Sequence, residues 1–247
     1  MSLKKQVASI LLLSSCAIFP FSFSYAEELG LTSADSPKSD VAEGKTNAGV
    51  SVEKGGRQVT PPISPKDPSV DLDMIDKDEG KQTNQEGPIS IDYVSHFRFG
   101  GNHKIDQATM KIPLENKGTP FFQVTDITGD GTGWQLRGKL NEFKNDKGST
   151  IKGAKISMST GELITRNPSQ TSDSSGFSIP KTVVFESGGN FVPLMTAKPD
   201  FGSGTWAVKF DDYKKSVIFE APGKNIEANS TYKSGFVWQL VTVPQMD

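Results

Sequence analysis

Over residues 89–247, apolar and polar residues repeatedly alternate with a period of two. Ile89-Ser90-Ile91-Asp92-Tyr93-Val94 opens this region. Trp134, Leu136, Gly138 and Leu140 share one parity, with Gln135, Arg137, Lys139 and Asn141 on the other. Ala154, Ile156 and Met158 repeat the scheme, as do Val217 and Phe219, and Phe121-Phe122-Gln123-Val124-Thr125 is rich in β-formers. Near the end, Phe236, Trp238 and Leu240 alternate with Val237, Gln239 and Val241. A period of two places successive side chains on opposite faces of an extended strand. Gly100-Gly101, Gly129-Asp130-Gly131, Asp173-Ser174-Ser175-Gly176, Gly188-Gly189 and Pro222-Gly223 mark turns between the runs. No stretch holds a helical period for long. The pattern predicts an all-β fold, a single β-sandwich or barrel-like domain over residues 89–247 with about ten short strands.

The chain before this region reads differently. Lys4 and Lys5 precede a largely apolar run from Val7 to Phe23, and Ser24-Tyr25-Ala26 supplies small residues where a signal peptidase reads. Residues 1–26 are therefore expected to be a secretory signal peptide cleaved after Ala26. Leu13-Ser14-Ser15-Cys16 offers a lipoprotein-type alternative, but the apolar run continues past Cys16 to a good cleavage site. Residues 27–88 hold 13 acids, 7 bases and no aromatic residue. Too little apolar surface is present to offset ordering entropy, so a disordered spacer is expected there. As a random coil it would span about 40–45 Å.

Composition narrows the chemistry. The formal net charge of −2 becomes −4 without Lys4 and Lys5, which argues against nucleic acid as a partner. The single cysteine lies in the leader, so no disulfide is expected to staple the mature chain. His96 and His103 have no metal-ligand spacing, and no cofactor is expected. Asp126-Ile127-Thr128-Gly129-Asp130-Gly131 opens like a calcium loop, yet Arg137 stands where an EF-hand requires glutamate. No nucleophile elbow, phosphate loop or other catalytic constellation is visible, so a non-enzymatic role is expected. Past the leader there is no second apolar span and no sortase-type motif with a hydrophobic tail. An exported protein of this kind is expected to be released or held by non-covalent contacts.

Two triplets stand out, Trp134-Gln135-Leu136 and Trp238-Gln239-Leu240. The first follows Val124-Thr125-Asp126 and Gly131-Thr132-Gly133. The second follows Tyr232 and Phe236-Val237. Together with Phe97-Arg98-Phe99-Gly100, Ile151-Lys152-Gly153-Ala154 and Gly204-Thr205-Trp206, this arrangement resembles the WxL domain family of Gram-positive cell-surface proteins, with Phe236-Val237 departing from the usual Leu-Thr. The resemblance implies a secreted, extracellular, wall-associated protein that binds peptidoglycan non-covalently. It also implies possible partnership with a membrane-anchored protein and a small sortase-anchored one. The alternative is an interaction subunit tethered through that membrane-anchored partner rather than by direct wall binding. Trp134, Leu136, Tyr232, Trp238 and Leu240 are the candidate binding or fold-defining residues. Indole faces stack on sugars, which favours contact. Apolar partners on the same parity and polar residues on the other favour an inward face.

Overall fold

The computed structural model describes residues 56, 58–105, 108–159, 161–167 and 174–242. The expected leader with its cleavage point at Ala26, and the expected spacer before residue 56, lie outside them. The first strands are β1 (Gly80–Gln82), β2 (Ile89–Ser95), β3 (Thr109–Pro113), β4 (Phe121–Asp126) and β5 (Trp134–Leu140). Then come β6 (Lys144–Asn145), β7 (Lys155–Ser159), β8 (Glu162–Thr165), β9 (Phe177–Ser178) and β10 (Thr182–Glu186). The series ends with β11 (Val192–Ala197), β12 (Gly204–Lys209), β13 (Val217–Pro222), β14 (Tyr232–Lys233) and β15 (Phe236–Thr242). One helical turn, α1 (Tyr213–Ser216), precedes β13. The all-β expectation holds, and the extra strands beyond ten include two-residue pairings too short to leave a periodic pattern.

The strands form four antiparallel sheets, ordered β1-β2-β4-β12-β8, β10-β7-β13-β3, β15-β5-β11-β9 and β14-β6. One core gathers the inward residues of the first three. Phe122, Val124, Trp206 and Val208 come from the five-stranded sheet. Ile156, Met158, Val183, Phe185 and Phe219 come from the second, and Trp134, Leu136, Leu140 and Leu194 from the third. Burial alternates cleanly along β5, β7, β10 and β13, as the period-two pattern requires.

All six residues of β4 are buried, so the five-stranded sheet is covered on both faces. The outer cover corrects the sequence reading. Residues 58–82 belong to the fold, although a disordered spacer was expected through residue 88. Ile63 is fully buried with Tyr93, Phe121, Ile164 and Ala207, and Leu72 and Ile75 pack on that cluster. A bridge joins Ile63 to Asp71, and β1 pairs with β2. The Gln123 amide anchors the segment. Its Oε1 accepts the Ile63 N–H at 2.7 Å, and its Nε2 donates to the Pro61 carbonyl at 3.1 Å. Arg166 pairs with Asp71. An acidic stretch with few apolar residues is thus ordered by docking on the five-stranded sheet.

A bulge in β2 between Ile91 and Tyr93 turns Asp92 to this covered face, where it accepts hydrogen bonds from Ser90, Gln123 and Thr125 at 2.6, 2.9 and 2.7 Å. Burial pushes the Asp92 carboxyl above its ordinary value, and these three donors partly oppose that shift.

If residues 58–75 are part of the folded domain, Ile63→Ala should destabilise it by about 2–5 kcal/mol in denaturant unfolding. An unchanged midpoint would mean that the segment adds nothing to the fold.

Candidate functional site

β5 and β15 run antiparallel, with Leu136 opposite Leu240, Gly138 opposite Trp238 and Leu140 opposite Phe236. Residues directly opposite one another share a sheet face. The two Trp-x-Leu triplets, far apart in sequence, therefore form one apolar ladder. Trp134 and Leu136 are wholly buried, while Trp238 and Leu240 are half-buried on the edge strand β15.

Each of the two motif tryptophans sits on a glycine. The Trp134 indole N–H donates to the Gly202 carbonyl at 3.2 Å. Gly202 has φ +87°, and a Cβ there would fall 2.5 Å from the indole nitrogen. With its N–H bonded and its side chain buried, Trp134 leaves no surface for a ligand. Across the ladder, the Trp238 ring lies over Gly138, where a Cβ would come within 2.5 Å of its Cζ3. Trp238 also stacks on Phe236 (5.1 Å, 12°) and packs on Phe122 (4.5 Å) and Phe185 (6.0 Å).

The other motif blocks converge on the same core. Phe97 packs on Phe236 at 5.1 Å and Phe122 at 6.0 Å, and Phe99 packs on Phe219 at 5.7 Å. Trp206 meets Phe177 at 4.2 Å, and Phe177 meets Trp134 at 6.0 Å. The structure brings Trp134, Leu136, Trp238 and Leu240 together but leaves Tyr232 outside the ladder. Tyr232 lies opposite Asn145 in the β14–β6 pair, against the same core, and its hydroxyl accepts the Glu227 N–H at 3.1 Å.

The middle residues of the triplets point the other way. Gln239 accepts a hydrogen bond from Arg137 Nε at 2.9 Å, and Gln135 donates to Thr196 at 3.2 Å. The Arg137 guanidinium lies over the Phe191 ring, 5.2 Å from its centroid. Two grooves flank this outward face. One, of about 280 Å³, runs beside β15 between Trp238–Thr242 and Gln85, Ile89 and Ile91. The other, of about 590 Å³, opens at the end of β5 between Lys139–Lys144 and Lys233–Gly235.

The Asp126 and Asp130 carboxylates are engaged within their own turn, accepting from Thr128 and Thr132 at 2.6–3.2 Å. Among the described residues, no three His, Cys, Asp or Glu side chains gather as a metal site.

Sequence reasoning missed the groove lysines and the two glycine seats. Gly138 does sit on the inward parity of β5, but only the β5–β15 register shows an indole resting on it.

A sequence family described as WxL domain surface cell wall-binding matches residues 39–244, most of the chain. The match begins well upstream of residue 89, in line with the docked segment. No curated protein and no solved structure matches.

Gly138→Ala should displace the Trp238 indole and cost about 1–3 kcal/mol, read by denaturant unfolding together with a red shift in tryptophan emission. Unchanged stability and emission would refute the seat.

Proposed function

Because the chain belongs to the WxL family of surface cell wall-binding domains, we propose that it is an exported surface protein of a Gram-positive cell, held non-covalently to peptidoglycan by its β domain. The family match over residues 39–244 carries this reading. A leader cleaved after Ala26 would deliver the chain outside the cell. The residues between Ala26 and the docked segment would act as the spacer. The role is one of attachment rather than catalysis.

The ladder supports a division of labour within the motif. Trp134, Leu136, Trp238 and Leu240 close the core, while Gln135, Arg137, Lys139 and Gln239 hold the outward surface of the same strands. Contact with the wall then falls to this outward face and its grooves, and the tryptophans act by keeping β5 and β15 in register.

One observation favours a second reading, that of an interaction subunit. Among the described residues, β15 pairs only with β5, so its other edge leaves backbone donors and acceptors open beside the apolar groove of Ile89 and Ile91. An extended segment of a membrane-anchored partner would complete that edge by strand addition.

The purified mature chain should sediment with purified sacculi without any second protein. Binding that appears only when a membrane-anchored partner is added would support the second reading, and no binding in either case would overturn both.

A further inference from the structure

We propose that the groove at the end of β5 is an anion-binding site that takes an acidic group of the wall, either a phosphodiester of a wall polymer or a carboxylate of a peptide stem. This rests on the wall-binding reading and assigns it a place and a chemistry.

Two stretches that are distant in sequence bring ammonium groups to this groove: Lys139 lies near the end of β5 and Lys144 opens β6, while Lys233 closes β14. One carboxylate accompanies them, Glu142, and it is engaged with Lys144 at 3.0 Å. The Lys139 and Lys233 ammonium groups make no ion pair or hydrogen bond among the described residues. Several other lysines of the domain sit against carboxylates. Lys111 and Lys155 share Glu220, Lys209 lies between Glu162 and Asp211, and Lys117 meets Asp76. Three lysines with one carboxylate among them leave this groove with a net positive charge.

The β14–β6 register adds an independent argument. Lys233 stands directly opposite Lys144. Like charges at directly opposed positions repel, and the one carboxylate at hand, Glu142, engages Lys144 and leaves Lys233 without a counter-ion among the described residues. An anion between them would turn that repulsion into attraction. The walls are fixed by backbone: Asn141 N–H donates to the Gly235 carbonyl at 2.9 Å, and Gly188 N–H to the Leu140 carbonyl at 3.0 Å. The Ser234 hydroxyl donates to the Asn141 carbonyl at 2.8 Å. The Asn141 side-chain amide lies near Gly235, where an added Cβ would find it at 3.5 Å and nothing nearer. An amide donor therefore borders the cationic space, and the glycines leave room for a ligand to enter.

The test uses the purified mature chain, a K139Q/K144Q/K233Q variant, and a K81Q/K214Q/K224Q control of equal charge change at exposed lysines away from the groove. Each is titrated with sacculi carrying their phosphate polymers and with sacculi stripped of them by acid. The groove variant should bind intact sacculi about tenfold more weakly than the control at low ionic strength and lose most of the salt dependence of binding, because exposed charges act through screened, salt-sensitive attraction. It should melt no lower than the unmodified chain, since removing opposed lysines relieves repulsion. If stripping the polymer removes the advantage of the unmodified chain over the groove variant, the anion is the phosphodiester. If the advantage persists, it is the stem carboxylate. Groove and control variants that bind alike would overturn the site while leaving wall binding intact. An unmodified chain that binds neither preparation would overturn the wall-binding reading itself.

Discussion

The pairing of β5 with β15 is the contact on which the rest of the domain depends. It joins two short motifs far apart in the chain, setting Leu136 against Leu240 and laying the Trp238 ring over Gly138. Closing so long a loop costs chain entropy, and only the apolar area buried at the seam offsets it. Large aromatic groups suit this role, because each buries much surface and an indole N–H can still be satisfied, as Gly202 satisfies Trp134. From the seam, aromatic contacts spread both ways: through Phe236 to Phe185 in the second sheet, and from Trp134 through Phe177 to Trp206 in the five-stranded sheet. A defect at the ladder would therefore be felt in three sheets at once.

This arrangement separates what holds the domain together from what meets its surroundings. The strand period sends tryptophan and leucine inward and sends the glutamine between them outward. The outward face is polar and cationic, with Arg137 held between Phe191 and Gln239 and three lysines gathered around the neighbouring groove. The five-stranded sheet has no comparable free face, because residues 58–75 cover its outside and the main core lies within. On the proposed reading, recognition falls to the sheet that carries the motifs, although the motif side chains themselves are packed in the core.

Much of this was legible in the sequence. The alternation in β2, β5, β7, β13 and β15, and the β-rich run of β4, mark where those strands lie. Four of the five candidate motif residues come together as one unit. The remainder left no local trace. Ile63 lies in an acidic segment without aromatics, and what orders it is the amide of Gln123, sixty positions away. Gln123 and Thr125 look like the solvent side of a strand, yet they are buried under that segment. Asp92 reaches the covered face through a bulge, which shifts the parity that the sequence displays. Lys233 reaches Lys139 and Lys144 only through the β14–β6 pairing, so no spacing along the chain marks the groove. In each case the deciding contact is long-range and polar, whereas sequence periodicity reports local and apolar order.

The account's central claim is that the paired motifs act as one packed unit, and a double-mutant cycle on Leu136→Ala and Leu240→Ala tests it most directly. Stability would be measured by denaturant unfolding of each single variant and of the double variant. The account predicts a coupling energy of about 0.5 kcal/mol or more between these opposed residues. Strictly additive losses would show that the two motifs stabilise the protein independently and would contradict it.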